Sequence, residues 1–287
     1  MPPGPKGPPI LGNLHQLDIS NPYLQFSQFP KIYDPLFSLQ LGLRQAIVVS
    51  SAEIAKEVLK NNDLVFSIRP ILYSQQKLSY NGSEINMLVG ATDTTSATLV
   101  WAMTALIKNP RVIKKVIEEI RNLKSKKGFL EEHDIQNFPY FKAVIKETLR
   151  LHLPAPLLVS RESRGKRTIE FYNIPAKTIL FVNVWAIQRD PNVWKNPEEF
   201  YPERFLESCI NFLGQDFKLI PFETGRRICP GMSTAVASLE LILANLLYSF
   251  YWKLPHGLME QDIDTKVLSR IAQHKKNPLC LVANIHM

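Results

Sequence analysis

At 287 residues with 45% hydrophobic content, the chain is long enough to bury a sizeable core, and nothing in its composition marks it as disordered. A formal charge of +8 would suit nucleic acid, an anionic membrane or an acidic protein, but the basic residues are scattered, and clusters such as Lys124, Lys126 and Lys127 lack interleaved aromatic rings. No nucleic acid partner is therefore expected, while a membrane surface or an acidic protein stays open. Three cysteines, Cys209, Cys229 and Cys280, make neither a disulfide framework nor a closely spaced metal or redox pair, which excludes a disulfide-stapled secreted domain. No apolar run is expected to match a bilayer span, and the prolines from Pro2 to Pro9 exclude a signal peptide or anchor there, so the chain as written is expected to be soluble.

With 21 prolines against 12 glycines, the chain should be helical with long ordered loops. Residues 1 to 13 read as a stiff extended leader that positions the chain without packing. The segment Leu36 to Ser50 alternates apolar and polar residues and predicts a hairpin, followed by a helix from Ser51 to Lys60 with Ser51 as N-cap and Glu53 in the first turn. Between Asn81 and Pro110 the spacing predicts a buried helix with a polar notch, Gly90 to Ser96. Pro110 opens the next helix, with Val112, Ile113, Val116, Ile117, Ile120 and Leu123 at helical spacing and Gly128 as its end. A further helix spans Phe141 to Leu151, then two strands, Thr168 to Tyr172 and Thr178 to Val184, are separated by a turn at Asn173 to Ala176. Arg189 to Pro230 reads as a long loop, of the kind that is either functional or disordered, and Met232 to Tyr251 as a last helix with Ala235, Leu239, Ile242 and Leu246 along one stripe. The chain divides at this stage into 1–82, a leader with the first strands and helix, and 83–287, a helical core.

The chemistry concentrates in PFETGRRICPG, residues 221 to 231. Cys229 stands just ahead of a helix start and just after two arginines, a setting that favours thiolate over thiol. Such a thiolate is a metal ligand or a nucleophile; the alternative for any lone cysteine is an inert buried side chain. Glu147 and Arg150 in KETLR share one helix face, an arrangement that alone marks only an ion pair. In GATDTTS, residues 90 to 96, Gly90 weakens the helix and the threonine hydroxyls can bond back to the preceding turn, so a local widening is expected; by itself this is a polar patch facing a neighbouring helix.

Taken together, these segments resemble the cytochrome P-450 superfamily. Phe222, Gly225, Arg227, Cys229 and Gly231 match its cysteine-loop signature. The resemblance implies that Cys229 ligates haem iron, Phe222 shields the sulfur, Arg227 meets a haem propionate, and Gly225 and Gly231 let the backbone approach the porphyrin. Glu147 and Arg150, with Arg204 in PERF, resemble the family's structural Glu–Arg–Arg set, and Arg161 in VSRES is implied to face the other propionate. GATDTTS resembles the oxygen-binding helix, with Asp93 and Thr94 as proton relays and Ala91 where a second glycine is usual. PPGPKGPPILGN resembles the proline hinge of microsomal members and places the chain near plant A-type enzymes, close to aldoxime-metabolising ones.

After QQKLSYNG, residues 75 to 82, the family continues with a haem-contacting helix and several helices that roof the substrate pocket, whereas here the oxygen-binding helix follows almost at once. The expected fold is thus mainly α with small β-sheets, a cytochrome P-450 fold lacking part of its middle helices. The resemblance implies a haem-dependent monooxygenase of secondary metabolism at the endoplasmic reticulum membrane, taking a small lipophilic substrate and electrons from an NADPH-dependent cytochrome reductase. A catalytically inactive haem-binding or reductase-titrating protein, and a truncated product that does not fold, are the alternatives set by the missing middle.

Overall fold

Alternating apolar residues in LFSLQL and the β-branched run RQAIVV pair as antiparallel strands β1 (Leu36–Leu41) and β2 (Arg44–Val49), with Leu36 opposite Val49 and Leu41 opposite Arg44. The computed structural model describes residues 1–18, 20–70, 84–122, 128–269 and 272–286. It divides into two units: Met1–Asn86 with Ala155–Pro197 and Ile210–Cys229, and Met87–Pro154 with Glu198–Cys209 and Pro230–Met287.

In the first unit the hairpin continues into a four-stranded sheet of order β1-β2-β6-β3, in which β6 (Ile179–Val182) runs parallel to β2 and β3 (Arg161–Glu162) antiparallel to β6. Phe26, Phe37, Leu39, Ala46 and Val48 form a closed cluster on it. Fully burying one such phenylalanine contributes roughly 1.5–3 kcal/mol. The leader differs from expectation because it packs: Ser38 donates through N and Oγ to the Pro3 and Pro2 carbonyls at 2.8 Å each, and Asn13 exchanges hydrogen bonds with the Gln40 backbone. Prolines cannot donate, but their carbonyls accept, so the leader satisfies the open edge of β1.

Helix α1 (Pro22–Phe26) precedes the hairpin, and α2 (Ala52–Lys56) follows it, capped by the Ser51 hydroxyl that accepts from the Ile54 N–H at 3.3 Å. A π-turn, Glu57–Asn61, extends α2. The strand expected at Thr168 to Tyr172 is instead a small hairpin, β4 (Arg167–Ile169) against β5 (Tyr172–Ile174), turning at Glu170, whose φ is +50°. The turn therefore falls earlier than the sequence suggested, and residues 173 and 174 belong to a strand.

The second unit is helical. Its long helix α3 (Glu84–Lys108) is followed by α4 (Pro110–Asn122) and α5 (Pro139–Leu151). Val112, Val116 and Ile120 of α4 are buried, Ile113 and Ile117 are half-buried, and Leu123 lies outside the described residues. Ten residues of α5 are buried, among them Glu147 and Arg150, so this helix threads the interior. After the short α6 (Val184–Ile187) of the first unit, α7 (Met232–Ser249) buries Leu239, Leu243, Ala244 and Leu247. Ile242 is 44% exposed, so the expected stripe is rotated; a helix with apolar residues on most sides offers more than one stripe, and packing selects among them. Contrary to expectation, α7 is also long and apolar enough to cross a membrane by length and composition, with Glu240 its sole charged residue. Strands β7 (Phe250–Lys253), β8 (Val267–Ser269), β9 (Gln273–Lys275) and β10 (Val282–Ile285) pair as β7–β10 and β8–β9. Among the described residues the chain is mainly α with small sheets, as the sequence indicated.

Candidate functional site

In the first unit the cysteine loop is built on tight backbone turns. Glu223 and Gly225 both have positive φ, +61° and +69°. The Cys229 N–H donates to the Phe222 carbonyl at 2.9 Å, closing the loop on itself, and Cys229 is half-buried. Phe222 packs edge-on against Phe212 with ring centroids 5.7 Å apart. Gly225 is required by local packing, since a Cβ there would stand 2.4 Å from the Leu59 carbonyl oxygen. Gly231, which belongs to the second unit, has open space at its Cβ position.

Arg161 is 1% exposed, and its guanidinium is held by Nε to Glu223 Oε1 at 3.2 Å and by Nη2 to the Thr224 carbonyl at 3.0 Å. Its Nη1 is buried with no hydrogen-bond partner among the described residues. Burial lowers the Arg161 pKa from its ordinary value; the Glu223 carboxylate opposes that shift, and the charges of Arg69 and Arg227 add to it. Arg69 lies on the other side of the same carboxylate, with Nη2 to Oε2 at 2.5 Å. Arg227 is exposed and donates from Nε to the Ser67 carbonyl at 2.6 Å. Arg226 pairs with Asp63 at 3.1 Å.

In the second unit the structure brings together the three residues of the Glu–Arg–Arg set. Glu147 receives Arg150 Nε on Oε2 at 2.7 Å, and Arg204 Nε and the Tyr201 N–H on Oε1 at 3.1 and 2.8 Å. Glu147 and Arg150 are fully buried, so this is an interior network and not a surface pair. Glu203, next to Arg204, accepts from Arg111 and from the Tyr140 hydroxyl. Burial works against its ionisation, but the Arg111 hydrogen bond and the charge of Arg111 hold its pKa at about 2.

Asp93 and Thr94 lie half-buried on α3, also in the second unit. The Thr94 hydroxyl donates to the Gly90 carbonyl at 2.5 Å, and Thr95 and Thr98 bond back to Ala91 and Thr94 in the same way. The expected back-bonding is present, yet α3 stays α-helical throughout, so the expected widening does not occur: each hydroxyl adds a bond to a carbonyl that keeps its helical partner. Asp93 Oδ1 lies 2.9 Å from His274 Nε2 on β9.

Sequence reasoning missed Glu223, Arg69, His274 and Glu203. The first stands inside the cysteine-loop motif, two residues before Gly225, at a position the motif leaves open, and nothing local marks its partners. Arg69 and His274 carried no signal, because their partners are distant in sequence.

The family model for cytochrome P450 matches residues 2–85 and 81–282, two stretches that meet where the sequence departs from the family pattern. Cytochrome P450 71A1 of Persea americana is 52% identical over 203 residues, which is 71% of this chain and 40% of that protein. Phenylacetaldehyde oxime monooxygenase CYP71AN24 of Prunus mume is 50% identical over 199 residues, 69% of this chain and 38% of the relative. The chain thus spans about 40% of the length of these curated relatives. A solved zebra fish cytochrome P450 with progesterone is 18% identical and superposes with a TM-score of 0.78 over 92% of this chain and 99% of that one, which establishes the likeness of fold. A cysteine loop closed by its own backbone, a buried Glu–Arg–Arg network and a family match running across both units have one reading: the chain belongs to the cytochrome P450 family.

Proposed function

We propose that this chain is a haem-thiolate protein of monooxygenase type, in which Cys229 Sγ is the protein ligand to haem iron. The carrying observation is the buried Arg161, whose Nη1 has no hydrogen-bond partner among the described residues, held by Glu223 and Thr224 of the loop that carries Cys229. The residues present fit a haem. A lone half-buried cysteine with a buried arginine beside its loop suits iron already held by a macrocycle that carries carboxylates.

Haem, when bound, supplies reductive activation of dioxygen and insertion of one oxygen atom into the substrate. Cys229 would donate charge through sulfur, Phe222 would shield that sulfur, and Arg161 and Arg227 would each meet a propionate. Gly231 leaves room for close approach, while Gly225 serves the loop. Asp93 and Thr94 would move protons, from the carboxyl oxygen of Asp93 and the hydroxyl of Thr94. Glu147, Arg150 and Arg204 hold the core structurally. By kinship the electron donor is an NADPH-dependent cytochrome reductase, the substrate a small lipophilic metabolite and the setting the endoplasmic reticulum membrane. The likeness to the Prunus mume enzyme makes an aldoxime the first substrate to try.

A second reading, a haem-binding or reductase-titrating protein without turnover, is favoured by one observation: the two matched stretches meet at residues 81–85, and the chain spans about 40% of its relatives. Expression with haem precursor, dithionite reduction and carbon monoxide tests the first claim. A long-wavelength Soret band that is lost in Cys229→Ala supports thiolate ligation, and a band unchanged by that substitution overturns it. Turnover of a lipophilic substrate with reductase then separates the two readings.

A further inference from the structure

Glu223 combines three features. Its backbone has φ +61°, a left-handed conformation that a non-glycine side chain adopts only under constraint. Its residue is 7% exposed, so a charged group has been taken out of water. Its two carboxylate oxygens are divided between two arginines from distant parts of the first unit, Oε1 toward Arg161 Nε at 3.2 Å and Arg69 Nη1 at 3.3 Å, and Oε2 toward Arg69 Nη2 at 2.5 Å.

The arginines are otherwise anchored by the backbone. Arg69 also donates to the Val159 and Ser160 carbonyls, and Arg161 to the Thr224 carbonyl. Both guanidinium groups thus have backbone anchors besides Glu223, and together they form a fork shaped for a carboxylate. Even with Glu223 in place the fork is not saturated, because Arg161 Nη1 remains buried without a partner among the described residues. One carboxylate facing two such cations leaves an excess of positive charge, to which the nearby Arg227 adds.

We propose that Arg69 and Arg161 form a carboxylate-binding fork whose resident ligand is the chain's own Glu223, and that a porphyrin carboxylate docking there competes with it. The inference rests on the haem reading above and adds a property of this chain: an internal counter-ion that weakens porphyrin docking while keeping the empty fork neutralised. Removing the competing charge should tighten binding only of porphyrins that carry free carboxylates.

The test measures dissociation constants of the full haem-free chain for metal-free protoporphyrin and for its dimethyl ester, which has no ionised carboxylate. Wild type is compared with Glu223→Gln, which keeps the shape, and Glu223→Gly, which relieves the positive φ. Expected is a gain of about tenfold for protoporphyrin in both variants, the scale of one charge-assisted hydrogen bond, with the ester unchanged. Equal or weaker protoporphyrin binding in both variants overturns the proposal, as does an equal gain for the ester, which would point to relief of strain or space. If no form binds either porphyrin, the proposal falls, while the haem reading stands or falls separately on the carbon monoxide spectrum of wild type and Cys229→Ala; binding without a variant-specific gain sinks the proposal alone.

Discussion

Glu147 and Arg150 are both fully buried, and Arg150 Nε lies 2.7 Å from Glu147 Oε2. One carboxylate thereby serves Arg150, Arg204 and the Tyr201 N–H at once. The pair links α5 to the Pro202–Phe205 turn, joining segments far apart in the chain. Glu147→Ala would strand buried positive charge and should destabilise the chain by about 3–5 kcal/mol. Urea denaturation of haem-free protein measures it. A loss below about 1 kcal/mol would show that the network is solvated, as exposed ion pairs are.

Glu203 provides a pH signature. Its folded pKa is about 2, below the ordinary carboxylate value of 4.5, despite a burial effect that pushes the other way. A depressed acid contributes stability above its unfolded pKa, and that contribution is lost as pH falls from about 4.5 towards 2. Because Arg111 is more than half exposed, screening limits the effect to about 1 kcal/mol. The stability difference between wild type and Glu203→Gln should accordingly shrink across that window and be constant above pH 6 or so. Thermal midpoints against pH check it, and a difference that grows on acidification would contradict the assignment.

How much of this was legible in the sequence depends on how local each signal is. The hairpin, the Ser51 cap and the Pro110 start were readable because each is fixed by neighbours within a few residues. The cysteine loop was readable for the same reason. Glu223 was not, since its arginine partners stand 62 and 154 positions away. The leader was misread because its partners are carbonyls docking on β1, a contact that proline content does not encode. On α7, periodicity allowed several stripes, and only packing chose the one through Leu239, Leu243 and Leu247.

That choice is itself testable. Leu243 is fully buried, whereas its neighbour Ile242 is 44% exposed. Leu243→Ala should cost about 2–5 kcal/mol through lost burial and a residual cavity, and Ile242→Ala about 0.5 kcal/mol or less. Denaturation midpoints of the two single variants give the comparison directly. The reverse order would restore the stripe through Ile242 that the sequence suggested.

The two glycines of the cysteine loop should separate stability from binding. Gly225 has φ +69°, and a Cβ there would lie 2.4 Å from the Leu59 carbonyl oxygen, a backbone atom that cannot swing aside. Gly231 has φ −88° and nothing within 4 Å of its Cβ position. Gly225→Ala should therefore destabilise the haem-free chain by about 2 kcal/mol or more, from strain at positive φ together with the clash. Gly231→Ala should leave the haem-free melting point within a degree or two of wild type, a shift of about 0.5 kcal/mol at most. If the open space beside Gly231 is where a porphyrin approaches, the same substitution should weaken hemin binding several-fold while Gly225→Ala acts through folding alone. Paired melting curves and hemin titrations distinguish these roles: a Gly231→Ala chain with unchanged hemin affinity would remove Gly231 from the binding surface and leave it as the residue that starts α7.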